Sequence, residues 1–389
     1  MDNAQESEDC RRASAQLLDL DDIPASDTGV VAMGDDAALG ELPKDLRPHA
    51  AKLSFESTVS RRLVHRDFID HVLLTDILRL EEGRFLCGAR IPQSHGYFNE
   101  GGGPHVYSGI LLSAEMGRQA GIAISHQFLG VSTSLCHILR ELSCTLEWPG
   151  LSLVTSPRMA NVVMEVRLRD CSYRRTRELM GLVMECISYQ AGERIQHAAG
   201  EWIFVPRKIY EKLRKPAPEA LESSSSPQRL ERVEPSVVGR RRLENIVISS
   251  PCESAEGIVE ADLIVDPDHP YFFEHALDHV SGMLLLEGCH QIGTALAGSR
   301  CGWAPREIVC REFGARFHQF AELETPVKLE ARLQTASRAP GASNALALSI
   351  QAKQEGRLLA ELSLEMATAA AFEPAAGVDE VRVAAGGRR

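Results

Sequence analysis

The chain of 389 residues lacks several features that would assign it to a familiar class. No apolar run approaches the roughly 18 residues that a membrane-spanning helix needs. Residues 1–20 carry acidic groups where a signal peptide needs a basic start and an apolar centre. The ten cysteines show neither a Cys-x-x-Cys pair nor Cys/His ligand spacing, which argues against a zinc site and a disulfide framework. We therefore expect a cytoplasmic protein with reduced thiols and no membrane span.

Basic residues are scarce relative to acidic ones. The chain has 42 Lys and Arg against 54 Asp and Glu, a net charge of −12. Nucleic acid is therefore not an expected partner, because phosphate binding needs a basic surface. The glycines of Gly101–Gly103 lack the spacing of a nucleotide-binding loop, and no Gly-x-Ser-x-Gly element occurs.

Composition divides the chain into segments. Residues 1–50 are rich in Asp, Ala, Ser and Gly, with 12 acidic and 4 basic groups in the first 47 positions, and this predicts a disordered acidic leader. Residues 215–237 combine proline, a serine run and charge, which is typical of a linker. Two blocks remain, 51–214 and 238–372, followed by a tail at 373–389 that we also expect to be disordered.

The two blocks are copies of one pattern. Val64-His65-Arg66 aligns with Val238-Gly239-Arg240, and the aromatic loop His95–Phe98 aligns with His269–Phe272, both at an offset of 174. The alignment slips by two residues before the segments Glu115-x-x-Arg118-Gln119 and Glu287-x-x-His290-Gln291. A constant offset over such a stretch predicts a duplicated fold.

Each copy predicts strands around one unusual helix. The helices, near Ile110–His126 and Met283–Ser299, are apolar or small on nearly every face, as expected of a buried helix. Strand-like segments flank them at 72–75, 85–91, 162–169, 179–189 and 194–204, and at 246–249, 257–265, 326–335, 345–353 and 358–366. The pattern predicts an α+β tandem hot-dog fold, in which two curled antiparallel sheets each wrap a buried helix and together form a pseudo-dimer.

Both predicted helices carry a carboxylate, Glu115 in the first copy and Glu287 in the second, with Gln119 and Gln291 one turn further on. A carboxylate in an apolar helix is costly, and burial raises its pKa toward the range useful for a general acid or base. We therefore treat both glutamates as candidate catalytic groups. The competing interpretation places them on a stripe that faces solvent.

Several basic residues are further candidates. His275 follows the second aromatic loop and precedes the second helix, a position suited to proton exchange or to a structural hydrogen bond. Arg118 needs an anion, which is either a bound phosphate or carboxylate or else Glu115, three residues away on the same helix. We expect structural roles for His95 and His269. The clusters Arg240–Arg242 and Arg174–Arg177 are predicted to be solvated basic patches, on which an acidic carrier protein could dock.

The second copy resembles a known family. The segment DHPYFFEHALDHVSGMLLLEGCHQIG at 268–293 is similar to the second-repeat signature of the AfsA-type γ-butyrolactone biosynthesis proteins. The first-copy motif Glu-x-x-Arg-Gln-Ala-Gly at 115–121 and the segment ARFHQFAELETPV at 315–327 also resemble this family. The resemblance covers roughly residues 60–370. One departure is Gly288-Cys289-His290, where Ala-Ala-Arg is commoner.

The resemblance implies a tandem hot-dog acyltransferase. Such an enzyme transfers a β-ketoacyl group from an acyl carrier protein to the hydroxyl of dihydroxyacetone phosphate, without a metal or redox cofactor. The product is a precursor of a butyrolactone, butenolide or furan signal that regulates antibiotic production. By similarity to hot-dog dehydratases, the loop histidine of one copy faces the helix carboxylate of the other. The candidate catalytic residues are then Glu115, His275 and Glu287, and the candidate substrate-binding residues are Arg118, Gln119, His290, Gln291, Tyr271 and Phe272.

Other interpretations remain open. A hot-dog thioesterase or dehydratase would use the same carboxylates with water or with a hydroxyacyl group. A third possibility is an acyl-binding sensor without turnover. For the assembly we expect a monomer with an internal pseudo-dimer, or a weak homodimer.

Overall fold

A computed structural model describes residues 42–92, 94–100, 109–147, 161–214, 230–334 and 345–372. These residues form one twelve-stranded antiparallel sheet and two long helices. The strands are β1 Leu74–Glu81, β2 Arg84–Arg90, β3 Leu135–Leu146, β4 Asn161–Tyr173, β5 Leu179–Gln190, β6 Glu193–Pro206, β7 Cys252–Glu253, β8 Val259–Leu263, β9 Ile308–Phe317, β10 Val327–Leu333, β11 Ala345–Gln354 and β12 Arg357–Thr368. The α-helices are α1 Arg47–Ala50, α2 Ile110–Phe128, α3 Arg207–Leu213, α4 Pro235–Val238 and α5 Gly282–Cys301. Short 3₁₀ turns lie at Arg61–Val64, Ile69–His71, Leu243–Asn245 and Ala369–Phe372.

The strand order shows the duplication directly. The sheet runs β1-β2-β4-β5-β6-β3 in the first copy and continues as β9-β12-β11-β10-β8-β7 in the second. The two halves meet where β3 pairs antiparallel with β9, with Ser143 opposite Gly314. Each copy therefore contributes six strands in the same order from the outer edge to the centre, and the two half-sheets join edge to edge as one pseudo-dimer.

The long helices α2 and α5 lie against the sheet and are buried over most of their length. Small residues permit this close packing. A Cβ atom at Gly121 would lie 2.6 Å from the terminal methyl of Met184, so a larger residue there would displace the side chains of the sheet. Among the described residues, none of the helices has the length and apolar character needed to cross a bilayer.

Two predicted boundaries need correction. The last part of the expected leader is ordered, since Leu42 and Leu46 are fully buried against Leu86 of β2. The last part of the expected linker is also ordered, because the backbone of Val233 donates to Ile248 just as that of Val59 donates to Leu74 in the first copy. The second copy therefore begins before residue 238. The rest of the expected leader, linker and tail lies outside the described residues.

The strand predictions were incomplete. β3 and β9 were not predicted, although they join the two copies. Charged residues interrupt both strands, with Arg140 and Glu141 in β3 and Arg311 and Glu312 in β9, so neither shows regular alternation. The segment predicted as a strand at 246–249 forms only two isolated bridges, from Ile248 to Leu263 and from Ser249 to Arg232.

Candidate active site

Glu115 lies at the centre of a buried charged group that we call the first polar cluster, formed by Arg66, Glu115, Arg118, Tyr271 and Glu274. Helix α2 places Glu115 and Arg118 one turn apart, so that Arg118 Nε donates to Glu115 Oε2 at 2.7 Å. Arg66 Nη2 donates to Glu115 Oε1 at 2.6 Å, and Arg66 Nη1 donates to Glu274 Oε1 at 2.8 Å. The Tyr271 hydroxyl accepts from Arg66 at 3.2 Å. Two carboxylates and two guanidinium groups thus neutralise each other inside the protein.

The expected rise in the pKa of Glu115 is wrong. Burial does raise this pKa, but the positive charges of Arg118 and Arg66 outweigh burial and lower it to about 2. The pKa of Glu287 is also lowered, because Arg240 and His290 overcome the effect of burial. Both carboxylates are ionised at neutral pH and bonded to arginine, which makes them poor proton acceptors. The geometry instead indicates that the two carboxylates hold the surrounding arginine side chains in position.

The second copy builds a matching group, the second polar cluster, from Tyr97, Glu100, Arg240 and Glu287. Arg240 Nε donates to Glu287 Oε1 at 3.0 Å, and the Tyr97 hydroxyl donates to Glu287 Oε2 at 2.8 Å. Arg240 is therefore an ion-pair partner whose side chain is only 17% exposed, and its interpretation as part of a solvated patch is wrong. The repeated Arg66 and Arg240 at matching offsets were the available sequence signal for both clusters.

The aromatic loops cross between the copies. Tyr97 of the first copy bonds Glu287 of the second, while Tyr271 and Glu274 of the second copy bond Arg66 in the cluster around Glu115. The rings of Tyr97 and Tyr271 stack on each other, with centroids 4.5 Å apart and planes 11° from parallel. The loop of each copy thus lies against the cluster of the other, as the dehydratase comparison predicts.

Four of the sequence candidates have internal hydrogen bonds. Gln119 Oε1 accepts from the backbone of Leu73, and its amide donates to the carbonyl of His71 and to Glu115. Gln291 makes the equivalent bonds to Val247, Asn245 and Glu287. Both glutamines are fully buried, so their geometry does not support the predicted substrate contact. The Nδ1 atoms of His95 and His269 accept from the backbone of the aromatic pairs that follow, which confirms structural roles.

A cavity of about 870 Å³ adjoins the first polar cluster. Ile138, Leu139, Phe272, Met283, Leu285 and Phe317 supply apolar lining. Arg66, Arg118, Tyr271, Glu274 and His275 supply polar lining, and they come from both copies. The side chain of His275 is 42% exposed, and its Nδ1 lies 4.0 Å from Glu274 Oε1. The structure therefore brings together Arg118, Tyr271, Phe272 and His275 from the predicted set.

The second polar cluster has a different setting. None of its residues lines this cavity, nor does His290, which takes the place of Arg118 in the second copy. The glycine-containing loop before α2, which includes Gly101 and His105, lies outside the described residues. Among the described residues, only the first cluster joins an arginine, a loop histidine and a large cavity, so it is the better candidate for the active site.

The sequence did not indicate that three histidines of the first copy form a group. His65, His126 and His137 lie together, with their ligand-type atoms all within 4.8 Å of one another. His65 and His137 also line the cavity. The histidines are 61 and 11 residues apart along the chain, so their local spacing carried no signal. Only the fold places a turn, a helix end and a strand side by side.

The family model for the A-factor biosynthesis hotdog domain (AfsA) matches this chain twice, at residues 49–205 and 221–370. The chain belongs to the AfsA family. It is 31% identical over 275 residues to a 2-oxo-3-(phosphooxy)propyl 3-oxoalkanoate synthase of Streptomyces virginiae, an alignment that covers 71% of this chain and 87% of the relative. A synthase of the same name from Streptomyces griseus is 29% identical over 300 residues, covering 77% and 92%. Among solved structures, the bifunctional dehydratase-cyclase domain in ambruticin biosynthesis is similar at 15% identity and a TM-score of 0.44, covering 77% of this chain and 97% of that one.

Membership in the AfsA family confirms two expectations. The resemblance stated from residues 268–293 and 115–121 is confirmed, and so is the tandem hot-dog fold, because the hot-dog model matches each copy separately. Each match covers one copy, so the aromatic loops that cross between the copies belong to two hot-dog repeats of one chain.

The buried histidines of this AfsA protein predict acid sensitivity. Burial lowers the pKa of His95 and of His269 to about 4, below the value of about 6.5 for histidine in an unfolded chain. As the pH falls below about 6.5, the unfolded chain binds protons that the folded chain does not, so stability is lost progressively down to about pH 4. We expect the urea midpoint to fall between about pH 7 and pH 4.5.

A matched variant tests whether His95 contributes to this acid sensitivity. In His95→Asn the amide oxygen can accept the backbone bonds that Nδ1 accepts now, without a titrating group. The variant should show a shallower dependence of the urea midpoint on pH than the wild type. An equal slope in both proteins would contradict the assignment to His95.

Proposed function

We propose that this chain is a 2-oxo-3-(phosphooxy)propyl 3-oxoalkanoate synthase. It transfers a β-ketoacyl group from a carrier thioester to the hydroxyl of dihydroxyacetone phosphate, forming a phosphorylated ester that is a precursor of a butyrolactone-type signal. The synthases named above are aligned over most of their own length, which supports the same reaction here. The acyl carrier protein as donor, a cytoplasmic location and a monomeric pseudo-dimer are parts of the proposal.

The observation that carries the proposal is the composition of the cavity. Its volume of about 870 Å³ lies within the usual range for small-molecule sites, and its apolar lining suits an acyl chain. Arg118 supplies a cation beside that lining, and its side chain remains 19% exposed even though it pairs with Glu115. A guanidinium in this position can hold a phosphate by charge-assisted hydrogen bonds.

The proposed step needs a proton acceptor. His275 lines the same cavity as Arg118 and is accessible, whereas Glu115 is fully buried between two arginines. We assign His275 to accept the proton of the attacking hydroxyl. The hydroxyl oxygen bonds to the thioester carbon, the carbon–sulfur bond breaks, and the departing thiolate takes up the proton. The first turn of α5 at Gly282 and Met283 lines the cavity and offers the partial positive charge of a helix start to the carbonyl oxygen.

The thioesterase and dehydratase alternatives would use a helix carboxylate in place of His275. Thioesterase or dehydratase action by the scheme considered from the sequence needs a helix carboxylate that can act as base, acid or nucleophile. Arg66 and Arg118 bind Glu115, and Arg240, Tyr97 and Gln291 bind Glu287. These bonds disfavour both alternatives. An acyl-binding sensor is distinguished only by the absence of turnover.

A donor and acceptor experiment tests the proposal. A β-ketoacyl carrier thioester is incubated with the full chain, with and without dihydroxyacetone phosphate, and the products are identified by mass spectrometry. We expect a phosphorylated ester only when the acceptor is present, together with release of the carrier thiol. Hydrolysis at the same rate without acceptor would indicate a thioesterase, and a tight acyl complex without turnover would indicate a sensor. Either result would overturn the proposal.

A basic helix beside the cavity suits the acidic surface expected of a carrier protein. Helix α3 presents Lys208 and Lys212 as exposed side chains, and the residues at its end, Leu213 and Arg214, line the cavity. Arg214 fixes the end of this helix by an ion pair with Glu322 at 2.6 Å. A carrier bound at α3 would lie close enough to deliver its acyl group into the cavity.

Charge reversal tests this surface. In Lys208→Glu/Lys212→Glu we expect the KM for the acyl carrier protein to rise roughly 3- to 10-fold, with little change in the KM for a small β-ketoacyl thioester, because exposed ion pairs contribute modest energies. Arg174→Glu/Arg175→Glu in the exposed β4–β5 turn is the matched control. A larger effect from that control would move the carrier surface to the turn.

A further inference from the structure

The three histidines beside the cavity form a compact triangle. Their ring centroids are 4.8 to 4.9 Å apart for all three pairs, and the Nε2 atoms of His65 and His126 lie 2.8 Å apart. Each histidine comes from a different element: the turn after Arg61–Val64, the last turn of α2, and β3. Imidazoles that converge from separate elements are a common arrangement for zinc-type ions.

The hydrogen bonds of the three imidazoles are uneven, since His65 and His126 bond to each other whereas His137 lacks a partner among the described residues. His126 Nδ1 lies 2.7 Å from the carbonyl oxygen of Val131 and must donate to it, so the Nε2 atom of a neutral His126 carries a lone pair. His137 has no hydrogen-bond partner for either ring nitrogen among the described residues, although both atoms are buried. A buried imidazole without a partner is unusual and calls for a ligand. A hydrogen bond from one ring nitrogen to a backbone carbonyl, as from His126 to Val131, orients an imidazole whose other nitrogen binds a metal.

The backbone at His65 supports a function for this side chain. His65 adopts a left-handed conformation with φ of 54°, which is uncommon for a residue other than glycine. The equivalent residue in the second copy is Gly239, with φ of 70°. The second copy also has Gly298 at the position of His126. His137 of β3 lies opposite Phe204 of β6. In the equivalent pair of strands in the second copy, Ile308 of β9 takes the place of His137, opposite Thr368 of β12. All three imidazoles are therefore peculiar to the first copy.

We propose that His65, His126 and His137 bind one divalent transition-metal ion of the zinc type, with an open ligand position toward the cavity. In a tetrahedral zinc site the ligand nitrogens lie roughly 3.3 Å apart, a value that falls between the 2.8 Å pair and the 4.8 Å limit observed here. Modest ring rotations complete the site. His65 and His137 line the cavity, so the fourth position takes an oxygen of a molecule bound there.

Electrostatics permit a cation at this place. Burial lowers the pKa of His65 to about 4, so this ring is neutral and can bind a metal at physiological pH. The nearby charge of Arg118 is compensated by Glu115 at 2.7 Å. The geometry of the three histidines supports this site independently of the proposed transferase reaction.

Metal binding to the full chain tests the site directly. Protein treated with chelator and dialysed is titrated with Co²⁺ and, separately, with Zn²⁺. We expect one equivalent of Co²⁺ to give the visible bands of tetrahedral coordination, Zn²⁺ to abolish them, and Zn²⁺ to raise the melting temperature. The X-ray absorption spectrum of the zinc form should show imidazole nitrogen and no sulfur. The absence of a stoichiometric site, or sulfur in the first shell from cysteine, would overturn the proposal.

Single substitutions locate the ion. His137→Gln and His126→Gln should each weaken Co²⁺ binding by more than the roughly 10- to 100-fold that loss of an outer-shell partner costs. His197→Gln on β6 is the control, because that imidazole lies outside the cavity and should leave binding unchanged. Circular dichroism establishes that each variant is folded. Unchanged affinity in a folded His137→Gln protein would place the metal elsewhere and overturn the assignment, while the spectrum of the wild-type zinc form decides the case if the variants do not fold.

Discussion

Arg118→Ala should raise the KM for dihydroxyacetone phosphate by about 10- to 100-fold while leaving the KM for the acyl donor nearly unchanged. The magnitude follows from losing charge-assisted hydrogen bonds to a phosphate, each contributing roughly 1.5–3 kcal/mol. The protein should still fold, because Glu115 keeps its ion pair with Arg66 at 2.6 Å. Steady-state kinetics with each substrate varied in turn measure the effect.

Two further variants sharpen this result. Arg118→Lys retains the charge but cannot form the paired bonds of a guanidinium, so it should recover only part of the acceptor affinity. Arg357→Ala removes another arginine that lines the cavity, one that pairs with exposed Glu355, and should leave both KM values close to wild type. If Arg118→Ala instead raises the KM for the donor, Arg118 contacts the acyl carrier and the phosphate binds elsewhere.

The elements with a repeated pattern were the ones that the sequence could predict. The helix predicted near Ile110–His126 is observed at Ile110–Phe128, and its counterpart is observed at Gly282–Cys301. The duplication supplied two independent readings of each of these helices. The pairing of β3 with β9 had no such support, because it joins residues about 170 positions apart and each strand is interrupted by charge. An edge-to-edge contact of this kind depends on the whole fold.

The electrostatic character of the site was harder to predict. Burial of Glu115 was expected from its apolar helix and is observed, but burial alone gave the wrong direction for its pKa. The charges that lower it come first from Arg118, on the same helix, and then from Arg66, which is 49 residues away in sequence and 2.6 Å away in space. Helical spacing revealed only the nearer partner, Arg118. The sign of a pKa shift depends on the full set of neighbours, and most of those neighbours come from other segments.

His275→Gln should lower kcat by about 100-fold or more, the usual scale for loss of a general base, with smaller changes in either KM. The imidazole is accessible in the cavity and borders the cluster that holds Arg118, so it is the group best placed to accept the hydroxyl proton. His318→Gln, which removes another imidazole of the cavity, is the control and should retain kcat.

Glu115→Gln separates this assignment from the one in which the helix carboxylate is the base. The change leaves Arg66 and Arg118 without their shared buried partner, so the free energy of unfolding should fall by about 3–5 kcal/mol. Because Arg118 is then less firmly placed, the acceptor KM should rise, while kcat should fall far less than in His275→Gln. Glu287→Gln disturbs an equivalent buried pair with Arg240 and should cost similar stability, but it should leave the acceptor KM unchanged, because its cluster does not line the cavity. A loss of kcat of about 100-fold in Glu115→Gln, with kcat retained in His275→Gln, would assign the proton transfer to the carboxylate instead.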